Sequence, residues 1–206
     1  MKMVQVKICG LMNKEAIQTA ADAGTDFIGF VFAKSKREVT IEQAKQLASY
    51  VPAHVKKVGV FVNEERSVIE EIVQTVGLDY VQLHGDETPD FVNQLPYPVI
   101  KAFQVRSEKD LEQLESYNCD YYLLDSPAGK YRGGNGETFD WNLAKSFDFL
   151  DKKVILAGGL TPENVAQAVQ EVVPAGVDVS SGVETDGEKD LAKIKEFIIA
   201  AKKGEK

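Results

Sequence analysis

Short runs of apolar and polar residues recur along this chain, separated by segments rich in helix formers. In the first run, apolar side chains at positions 4, 6 and 8 fall on one face of an extended segment, and Gln5, Lys7 and Cys9 fall on the other. This alternation is typical of a β-strand with one apolar and one polar face. Seven further runs predict strands at 27–32, 57–62, 80–84, 99–103, 121–125, 154–159 and 177–181.

Helix-boundary signals mark the segments between these runs. Gly24 and Gly77 stand where a helix would have its C-cap glycine. Thr40 and Gln43 have the spacing of a capping box, and Pro89 suits the first position of a helix. The predicted helices lie at 16–23, 65–76, 108–115, 141–147, 162–172 and 191–201, with two more that begin at 40 and 88.

Eight strand–helix units in 206 residues match the smallest (β/α)8 barrels, in which helices cover the outer face of a closed parallel sheet. The alternative is a doubly wound open sheet, whose central strands would be apolar on both faces. The first, fourth and sixth predicted strands each carry polar residues on one face. We therefore predict an α/β fold, a single-domain (β/α)8 TIM barrel with parallel strands that spans residues 1–206.

Composition and charge limit the cellular location and the classes of partner that the sequence predicts. Hydrophobic residues make up 44% of the chain and charged residues 27%, which is typical of globular proteins in water. No apolar stretch approaches the roughly 18 residues that span a bilayer, and the N-terminus lacks a secretion signal. We therefore expect a cytoplasmic protein without a membrane partner. The net charge of −8 argues against a nucleic-acid partner, which would require a basic face. We also expect a monomer.

The two cysteines, Cys9 and Cys119, do not suggest a disulfide framework. In a parallel sheet they would lie at opposite ends of strands about 15–17 Å long, beyond the roughly 7 Å between Cα atoms that a disulfide tolerates. Cys119 is then best explained as a buried structural residue, and Cys9 as a free thiol.

Active sites in such barrels lie at the C-terminal ends of the strands, and phosphate sites commonly follow strands seven and eight. Gly158 and Gly159 would let backbone amides approach an anion closely, and Ser180 and Ser181 add hydroxyls and amides just after Asp178. The alternative is that the glycine pair forms only a tight turn. Because both turns carry anion-binding features, we predict a phosphorylated small-molecule partner.

Two of the predicted strands end on groups that can exchange protons. Cys9, considered alone, is slightly better explained as a buried structural residue, although the charge of Lys7 would favour its thiolate. Asp125, at an inward-facing strand end, would supply an acid opposite that base. A solvated loop aspartate is the alternative for Asp125. The two residues together favour general acid and base catalysis.

Other polar residues near strand ends leave alternatives open. Lys7 and Lys101, as inward-facing lysines, would suit a Schiff-base aldolase, but pairing with inner carboxylates is the simpler explanation. Arg37 is placed to bind a carboxylate or lies at the surface. His84 contacts a substrate or is a hydrogen-bonded core histidine, and His54 is predicted at the surface. Two isolated histidines and no cysteine pair predict no metal site. Neither a P-loop nor a Rossmann fingerprint occurs.

Motifs spread from the first predicted strand to the last resemble those of the phosphoribosylanthranilate isomerase family, which acts in tryptophan biosynthesis. The resemblance rests on Lys7-Ile-Cys-Gly-Leu11, Gln82-Leu-His-Gly85, Gly133-Gly-Asn-Gly136 with Phe139-Asp-Trp141, Ala157-Gly-Gly-Leu160 with Asn164, and Asp178-Val-Ser-Ser-Gly-Val-Glu184. The glycine pair alone is shared with many phosphate-binding barrels, but the ordered combination is specific.

The resemblance implies an Amadori rearrangement of N-(5′-phosphoribosyl)anthranilate to 1-(2-carboxyphenylamino)-1-deoxyribulose 5-phosphate without a cofactor. It implies that Asp125 is the general acid, that Cys9 is the general base and that Arg37 binds the anthranilate carboxylate. The substrate phosphate would be held by Gly134, Gly136, Gly158, Gly159, Ser180 and Ser181, with Asp178 and His84 also in the binding site. An acid that must arrive protonated and a base that must arrive deprotonated need opposite environments.

The sequence departs from the family pattern at Met12, Lys36 and Asn135, none of which is an assigned catalytic group. Two other functions remain open. One is a different sugar-phosphate isomerase or lyase on the same fold, and the other is a barrel that binds a phosphorylated metabolite without catalysis. The fold alone does not separate them.

Overall fold

A computed structural model of the chain describes residues 3–126, 141–146, 149 and 151–204. Within these residues, eight strands pair in chain order, each parallel to its neighbours, and the last pairs with the first, which closes the barrel. The predicted fold class is therefore confirmed, and the open sheet is excluded. The strands are β1 (Gln5–Cys9), β2 (Phe27–Val31), β3 (Lys56–Phe61), β4 (Tyr80–Leu83), β5 (Val99–Gln104), β6 (Tyr121–Asp125), β7 (Val154–Leu156) and β8 (Gly176–Val179).

Helices follow the strands along the described chain. They are α1 (Lys14–Ala23), α2 (Ile41–Ala48), α3 (Arg66–Val76), α4 (Pro89–Gln94), α5 (Glu108–Glu112), α6 (Trp141–Ser146), α7 (Val165–Val172) and α8 (Leu191–Lys203). A 3₁₀ turn over Gln113–Ser116 continues α5, and a second covers Ser181–Val183. Two short antiparallel strands, β9 (Glu184–Thr185) and β10 (Glu188–Lys189), form a hairpin before α8. No described helix is both long and apolar enough to cross a bilayer.

Local signals fix most of the helix ends. Thr40 and Gln43 form the predicted capping box at the start of α2. Gly24 and Gly77 end α1 and α3 in the left-handed region, as glycine C-caps do. The sequence predicts the start of α7 three residues too early. Asn164 is the N-cap position, and its side-chain oxygen accepts from the backbone of Thr161 at 2.8 Å, which holds the preceding residues in a turn.

The alternation of residues along each strand separates two cores. Outward-facing residues such as Val6, Ile8 and Leu124 pack with the helices in the larger core. Inward-facing residues such as Phe27 and Ile100 fill the barrel interior. Together these layers place the polar inward residues at the C-terminal end of the barrel, where the chemistry is expected.

Two predictions about individual residues are wrong. Lys101 does not face the interior, because Ile100 and Ala102 on either side of it pack in the inner core and period-two alternation directs Lys101 outward. Cys119 is half-buried rather than buried, since it lies in the loop before β6 and not in a strand. Its thiol contacts the backbone oxygen of Tyr121 at 3.3 Å. Cys9 and Cys119 are both free, as predicted.

Candidate active site

A buried ion pair lies next to Cys9 at the C-terminal end of the barrel. Lys7 and Asp178 are directly paired in the register of β1 and β8, and the Lys7 ammonium donates to Asp178 Oδ1 at 3.0 Å. Burial lowers the pKa of Lys7, but its interactions with Asp178 and Cys9, the ion pair with Asp178 foremost, outweigh burial, so that the pKa is raised. Lys7 therefore stays protonated, which does not suit Schiff-base attack. Its predicted pairing with an inner carboxylate is confirmed.

Cys9 is buried at the end of β1. Burial raises the pKa of its thiol and Asp178 raises it further, whereas the charges of Lys7 and Lys189 lower it. The net pKa shift is upward. Lys7 favours the thiolate, as predicted, but burial and the charge of Asp178 together outweigh the two ammonium groups. Near neutral pH the residue is a thiol.

Glycines make room for this group of side chains. Gly29 in β2 is the register partner of Cys9, and a Cβ there would lie 2.9 Å from Cys9 Sγ and 3.2 Å from Lys7 Nζ. Gly10 follows β1 with a φ of 75°, a conformation that favours glycine. A Cβ at Gly10 would lie 2.6 Å from Arg37 Cδ. The side chain of Arg37 therefore packs directly across the end of β1.

Asp125 ends β6 in a second buried group. It is 3% exposed, and its Oδ1 accepts the backbone N–H of Ser126 at 2.8 Å. Asp125 Oδ2 lies 3.1 Å from Nε2 of His84, and Nδ1 of His84 lies 3.0 Å from Nε2 of Gln82. Asp125 is thus a hydrogen-bonded interior residue rather than a solvated loop aspartate. His84 was a predicted site residue, whereas Gln82 had no predicted role beyond its place in the Gln82-Leu-His-Gly85 motif.

The turn after β7 has the features of an anion site. Gly158 and Gly159 have φ values of 76° and 65°, so that both positions favour glycine. The side chain of Asn164 donates to the carbonyl oxygen of Gly159 at 3.0 Å and accepts from Thr161, which fixes the turn from both ends.

The turn after β8 lies against the turn after β7. A Cβ on Gly182 would collide with the carbonyl oxygen of Leu160, so the close approach of the two turns depends on glycine. Ser180 donates its hydroxyl to the carbonyl oxygen of Cys9 at 3.2 Å, and Ser181 begins the 3₁₀ turn. The structure thus brings the two predicted phosphate-binding turns together and links one of them to the strand that carries Cys9.

Arg37 is held by the carboxylate of Glu184, a residue without a predicted role. Its Nε donates to Glu184 Oε1 at 2.6 Å and its Nη2 to Oε2 at 3.0 Å, a bidentate pair. Lys189 donates to the same Oε1 at 2.9 Å and to the backbone oxygen of Ser180 at 2.7 Å. Burial raises the pKa of Glu184, but the hydrogen bonds from Arg37 and the charge of Lys189 prevail and hold that pKa at about 2.

A sequence signal for this arrangement was missed. Asp186-Gly187 between two short polar runs is a strong hairpin signal, and both residues have positive φ, 53° and 85°, as a type I′ turn requires. The hairpin brings Glu184 and Lys189 together. The contact with Arg37 was not predictable in the same way, because Arg37 and Glu184 are 147 residues apart along the chain.

Lys101, in the middle of β5, forms a separate structural cluster. Its ammonium donates to the backbone oxygens of Gly85 at 2.9 Å and Ala102 at 3.0 Å, and it lies 3.1 Å from Glu87 Oε2. Burial lowers the pKa of Lys101, with Glu87 opposing that shift. Because these acceptors surround the ammonium, Lys101 stabilises the turn after β4 and is poorly placed for a Schiff base.

The predicted phosphate contacts Gly134 and Gly136 lie outside the described residues. In the part of the chain that is described, no group of three or more His, Cys, Asp or Glu side chains is arranged to hold a metal ion. Cys9 and Asp125 both end strands at the same rim of the barrel, and β7 and β8 separate their strands.

Comparison with known proteins gives a consistent result. The family model described as N-(5'phosphoribosyl)anthranilate (PRA) isomerase matches residues 6–200. An N-(5'-phosphoribosyl)anthranilate isomerase from Bacillus cereus (strain G9842) is 50% identical over 200 residues, which cover 97% of this chain and 98% of that protein.

Solved structures agree in fold and in sequence. Monomers generated from the dimeric phosphoribosylanthranilate isomerase of Thermotoga maritima have a TM-score of 0.84 and 41% identity, over 97% of this chain and 99% of that one. A phosphoribosyl anthranilate isomerase in complex with reduced 1-(o-carboxyphenylamino)-1-deoxyribulose 5-phosphate has a TM-score of 0.83 and 40% identity, over the same shares of both chains. With these likenesses over nearly its whole length, the chain belongs to the N-(5'-phosphoribosyl)anthranilate isomerase family.

Proposed function

We propose that the protein catalyses the Amadori rearrangement of N-(5′-phosphoribosyl)anthranilate to 1-(2-carboxyphenylamino)-1-deoxyribulose 5-phosphate in tryptophan biosynthesis. The observation that carries this proposal is the placement of a thiol and a carboxyl, Cys9 and Asp125, at the same end of one barrel beside two glycine-dependent turns. Membership of the isomerase family supports the assignment.

Asp125 is proposed to act first, as the general acid. Its proton would pass to the ring oxygen of the furanose, the bond between that oxygen and C1 would break, and the nitrogen lone pair would form the Schiff base. Two hydrogen-bond contacts support this role, because Ser126 and His84 hold one carboxyl oxygen each at 2.8 and 3.1 Å. Because its orientation is fixed, the Asp125 carboxyl is already positioned for proton transfer to the ring oxygen.

Cys9 is proposed to act second, as the general base that removes the proton from C2 of the ribose. The resulting enolamine would tautomerise to the ketone as C1 gains a proton and the C2 hydroxyl loses one. Because the pKa of Cys9 is raised, only a minority of molecules carry the thiolate near neutral pH. Lys7 and Lys189 support the role, since their charges lower the pKa that burial raises.

The remaining residues are proposed to bind the substrate. Arg37 would bind the anthranilate carboxylate, and the bidentate contact from Glu184 would orient its guanidinium for that purpose. Gly158, Gly159 and the serines at 180 and 181 would hold the phosphate through backbone amides and hydroxyls. Gly134 and Gly136 are also proposed to hold the phosphate, and Asp178 and His84 to line the site. No cofactor is expected in this scheme.

A Schiff-base aldolase is the weaker alternative. It would need an accessible and neutral lysine, whereas Lys7 is fully buried with a raised pKa and Lys101 is surrounded by acceptors. Borohydride trapping in the presence of substrate would modify a lysine only in that case.

Cellular setting and assembly stay predictions. We expect a cytoplasmic enzyme whose partner is the small phosphorylated substrate. The sequence favours a monomer, whereas the related enzyme from Thermotoga maritima is dimeric.

The test is the loss of anthranilate fluorescence when purified protein meets substrate generated in place. Cys9→Ala and Asp125→Asn should each lower kcat by about 10²–10⁴-fold, because each removes a proton-transfer group. Cys119→Ala is the matched control and should keep full activity, since that thiol lies before β6 and away from the strand ends that carry the site. Binding of a ribose phosphate without turnover by the unmodified protein would instead favour a metabolite-binding barrel.

A further inference from the structure

Gln82 is a buried polar residue that the mechanism above does not use. It is 1% exposed on the inner face of β4, and its amide nitrogen lies 3.0 Å from Nδ1 of His84. His84 in turn reaches Asp125 through Nε2 at 3.1 Å. We propose that Gln82 is a positioning residue for Asp125: its amide sets which nitrogen of His84 carries a proton, and thereby whether His84 donates to the carboxyl or accepts from it. This inference rests on the proposed role of Asp125 as general acid.

The observed contacts define the first arrangement. An amide nitrogen only donates, so Nδ1 of His84 must accept from Gln82 and carry no proton. In a neutral imidazole the proton then sits on Nε2 and is donated to Asp125 Oδ2. This arrangement suits an ionised Asp125, which is its form after it has given its proton to the substrate.

An unpaired atom points to a second arrangement. Among the described residues, the amide oxygen of Gln82 is buried and has no hydrogen-bond partner. A buried acceptor without a partner is unfavourable. Rotation of the amide by half a turn would place this oxygen against Nδ1, which would then carry a proton and donate it.

The second arrangement suits a pair that has taken up one proton from solvent. That proton lies either on Asp125, whose hydroxyl then donates to Nε2, or on His84 as an imidazolium that donates to the carboxylate. In both forms Nδ1–H donates to the oxygen of Gln82. The two positions of one amide therefore match the protonated and deprotonated states of the acid, and Gln82 is able to stabilise both.

Two ion pairs and two further acidic side chains lie near this chain of contacts. Lys101 lies 2.9 Å from the backbone oxygen of Gly85, the residue after His84, and it is paired with Glu87. Asp86 is exposed on the same turn, and Asp110 of α5 lines the hollow beside His84. On the facing strands β1 and β8, Lys7 and Asp178 also form a pair, with Cys9 at the strand end and Lys189 on the hairpin. Gln82 is the side chain that contacts Nδ1 of His84 directly.

Two substitutions of similar size and shape separate the donor and acceptor functions of the Gln82 amide. Gln82→Met removes both donor and acceptor. Gln82→Glu, when ionised, keeps only an acceptor and should favour a protonated Nδ1. Removal of a hydrogen-bond partner costs a charged donor more free energy than a neutral one. The midpoint of proton uptake at His84 should therefore fall in Gln82→Met, which lacks an acceptor, and rise in Gln82→Glu, which keeps one, by about one pH unit each.

The midpoints are measured by nitrogen NMR on protein labelled at histidine. The chain has two histidines, and exposed His54 is an internal reference that should not move. Shifts of opposite sign at His84 support the proposal, since a structural defect would not produce them. Equal midpoints in all three proteins, or shifts in the same direction, would overturn it.

Kinetics supply a second readout. In Gln82→Met, kcat at neutral pH should fall about tenfold with KM changed less than about twofold, because one hydrogen bond of the acid's support is lost. The limb of the kcat–pH profile that reports the His84–Asp125 pair should shift to lower pH in Gln82→Met and to higher pH in Gln82→Glu, as the NMR midpoints do. An unchanged kcat and pH profile in folded Gln82→Met would contradict the proposal.

The outcomes remain distinct from those of the proposed function. If Gln82→Met does not fold, the comparison of Gln82→Glu with the unmodified protein tests the inference. A higher midpoint of proton uptake at His84 in Gln82→Glu supports the inference, and an unchanged midpoint overturns it. If the unmodified protein does not isomerise the substrate but the midpoints keep their predicted order, the proposed function fails while the link between Gln82 and His84 stands.

Discussion

The thiol of Cys9 has space at the end of β1 because the residue beside it in the sheet is a glycine. Gly29 pairs with Cys9 in the register of β1 and β2. Its missing side chain leaves the volume that Cys9 Sγ and Lys7 Nζ occupy. At the scale of the single residue, the position of the proposed base therefore depends on the lack of a Cβ at Gly29 in the neighbouring strand.

Gly29→Ala should damage the site more than the fold. The added Cβ would lie 2.9 Å from Cys9 Sγ and would displace the thiol. We expect kcat to fall about ten- to hundredfold, because a misplacement of roughly 1 Å has effects of that size. The loss of unfolding free energy should be about 1–3 kcal/mol, typical of overpacking. Steady-state kinetics and urea unfolding measure the two effects.

Gly59→Ala in β3 is the matched control for Gly29→Ala. A Cβ there would also be crowded, at 2.5 Å from Leu78 and 2.8 Å from Phe61, but neither neighbour belongs to the site. The control should lose a similar amount of stability and keep its kcat. Equal activity losses in the two variants would show that Gly29 has no special relation to Cys9.

At the scale of the element, the hairpin formed by β9 and β10 carries two residues that organise the rim of the barrel. Glu184 contacts Arg37 at 2.6 Å, and Lys189 contacts both Glu184 and the backbone of Ser180. Two strands of two residues each would not be stable alone. The ion pairs anchor the hairpin to the barrel, and the hairpin in turn orients Arg37.

Glu184 should make stability depend on acid pH. Its pKa is about 2 in the folded protein against an ordinary value of 4.5, so its stabilising contribution is complete above pH 4.5 and is lost as the pH falls toward 2. Because solvent screens part of this interaction, the unfolding free energy should drop by about 1–2 kcal/mol over that interval from this group alone. In Glu184→Gln this part of the drop should be absent when urea unfolding is measured between pH 6 and 2.

Glu188→Gln is the matched control on the same hairpin. Glu188 is exposed and takes part in the hairpin through its backbone. The control should keep the acid sensitivity of the unmodified protein. If Glu184→Gln and Glu188→Gln show the same pH dependence, the ion pair of Glu184 and Arg37 contributes nothing to acid stability.

At the scale of the whole molecule, closure of the barrel brings together residues far apart in the chain. Lys7 and Asp178 are 171 residues apart, yet they form a buried ion pair between the first and last strands. Their side chains are 0% and 9% exposed. The pair therefore exists only when the sheet has closed.

Asp178→Ala should be strongly destabilising, because it leaves the buried charge of Lys7 without a partner. We expect a loss of about 3–5 kcal/mol of unfolding free energy, the usual effect of breaking a buried pair. The double variant Lys7→Met with Asp178→Leu should recover most of that stability, since apolar replacement of both partners is often neutral. Urea unfolding of all three proteins checks this, and a double variant as unstable as Asp178→Ala would contradict it.

The same double variant should lose activity. Loss of Lys7 removes a charge and a hydrogen bond that lower the pKa of Cys9, and this outweighs the loss of Asp178, which raises that pKa, so less thiolate would form at a given pH. A double variant that is stable but inactive would show that the Lys7–Asp178 pair is needed for catalysis and not for stability.

The sequence alone determined the architecture and many local features. Alternation at period two identified the strands, and the Thr40 to Gln43 capping box and the C-cap glycines marked helix ends, because these signals act between near neighbours. Cys9 and Asp125 were found because parallel strands place their ends at one rim. The facing of Lys101 was not determined, since apolar residues on both sides of it in β5 give no alternation.

The tertiary structure decided what those residues contact. Asp125 meets His84 across 41 residues of chain, and Arg37 meets Glu184 across 147. No local pattern encodes such pairs, because they form only when barrel closure and loop packing bring distant segments within hydrogen-bond distance. Burial is likewise a property of the closed barrel, and it reversed the expected pKa shift of Cys9, since loss of hydration exceeded the attraction of Lys7.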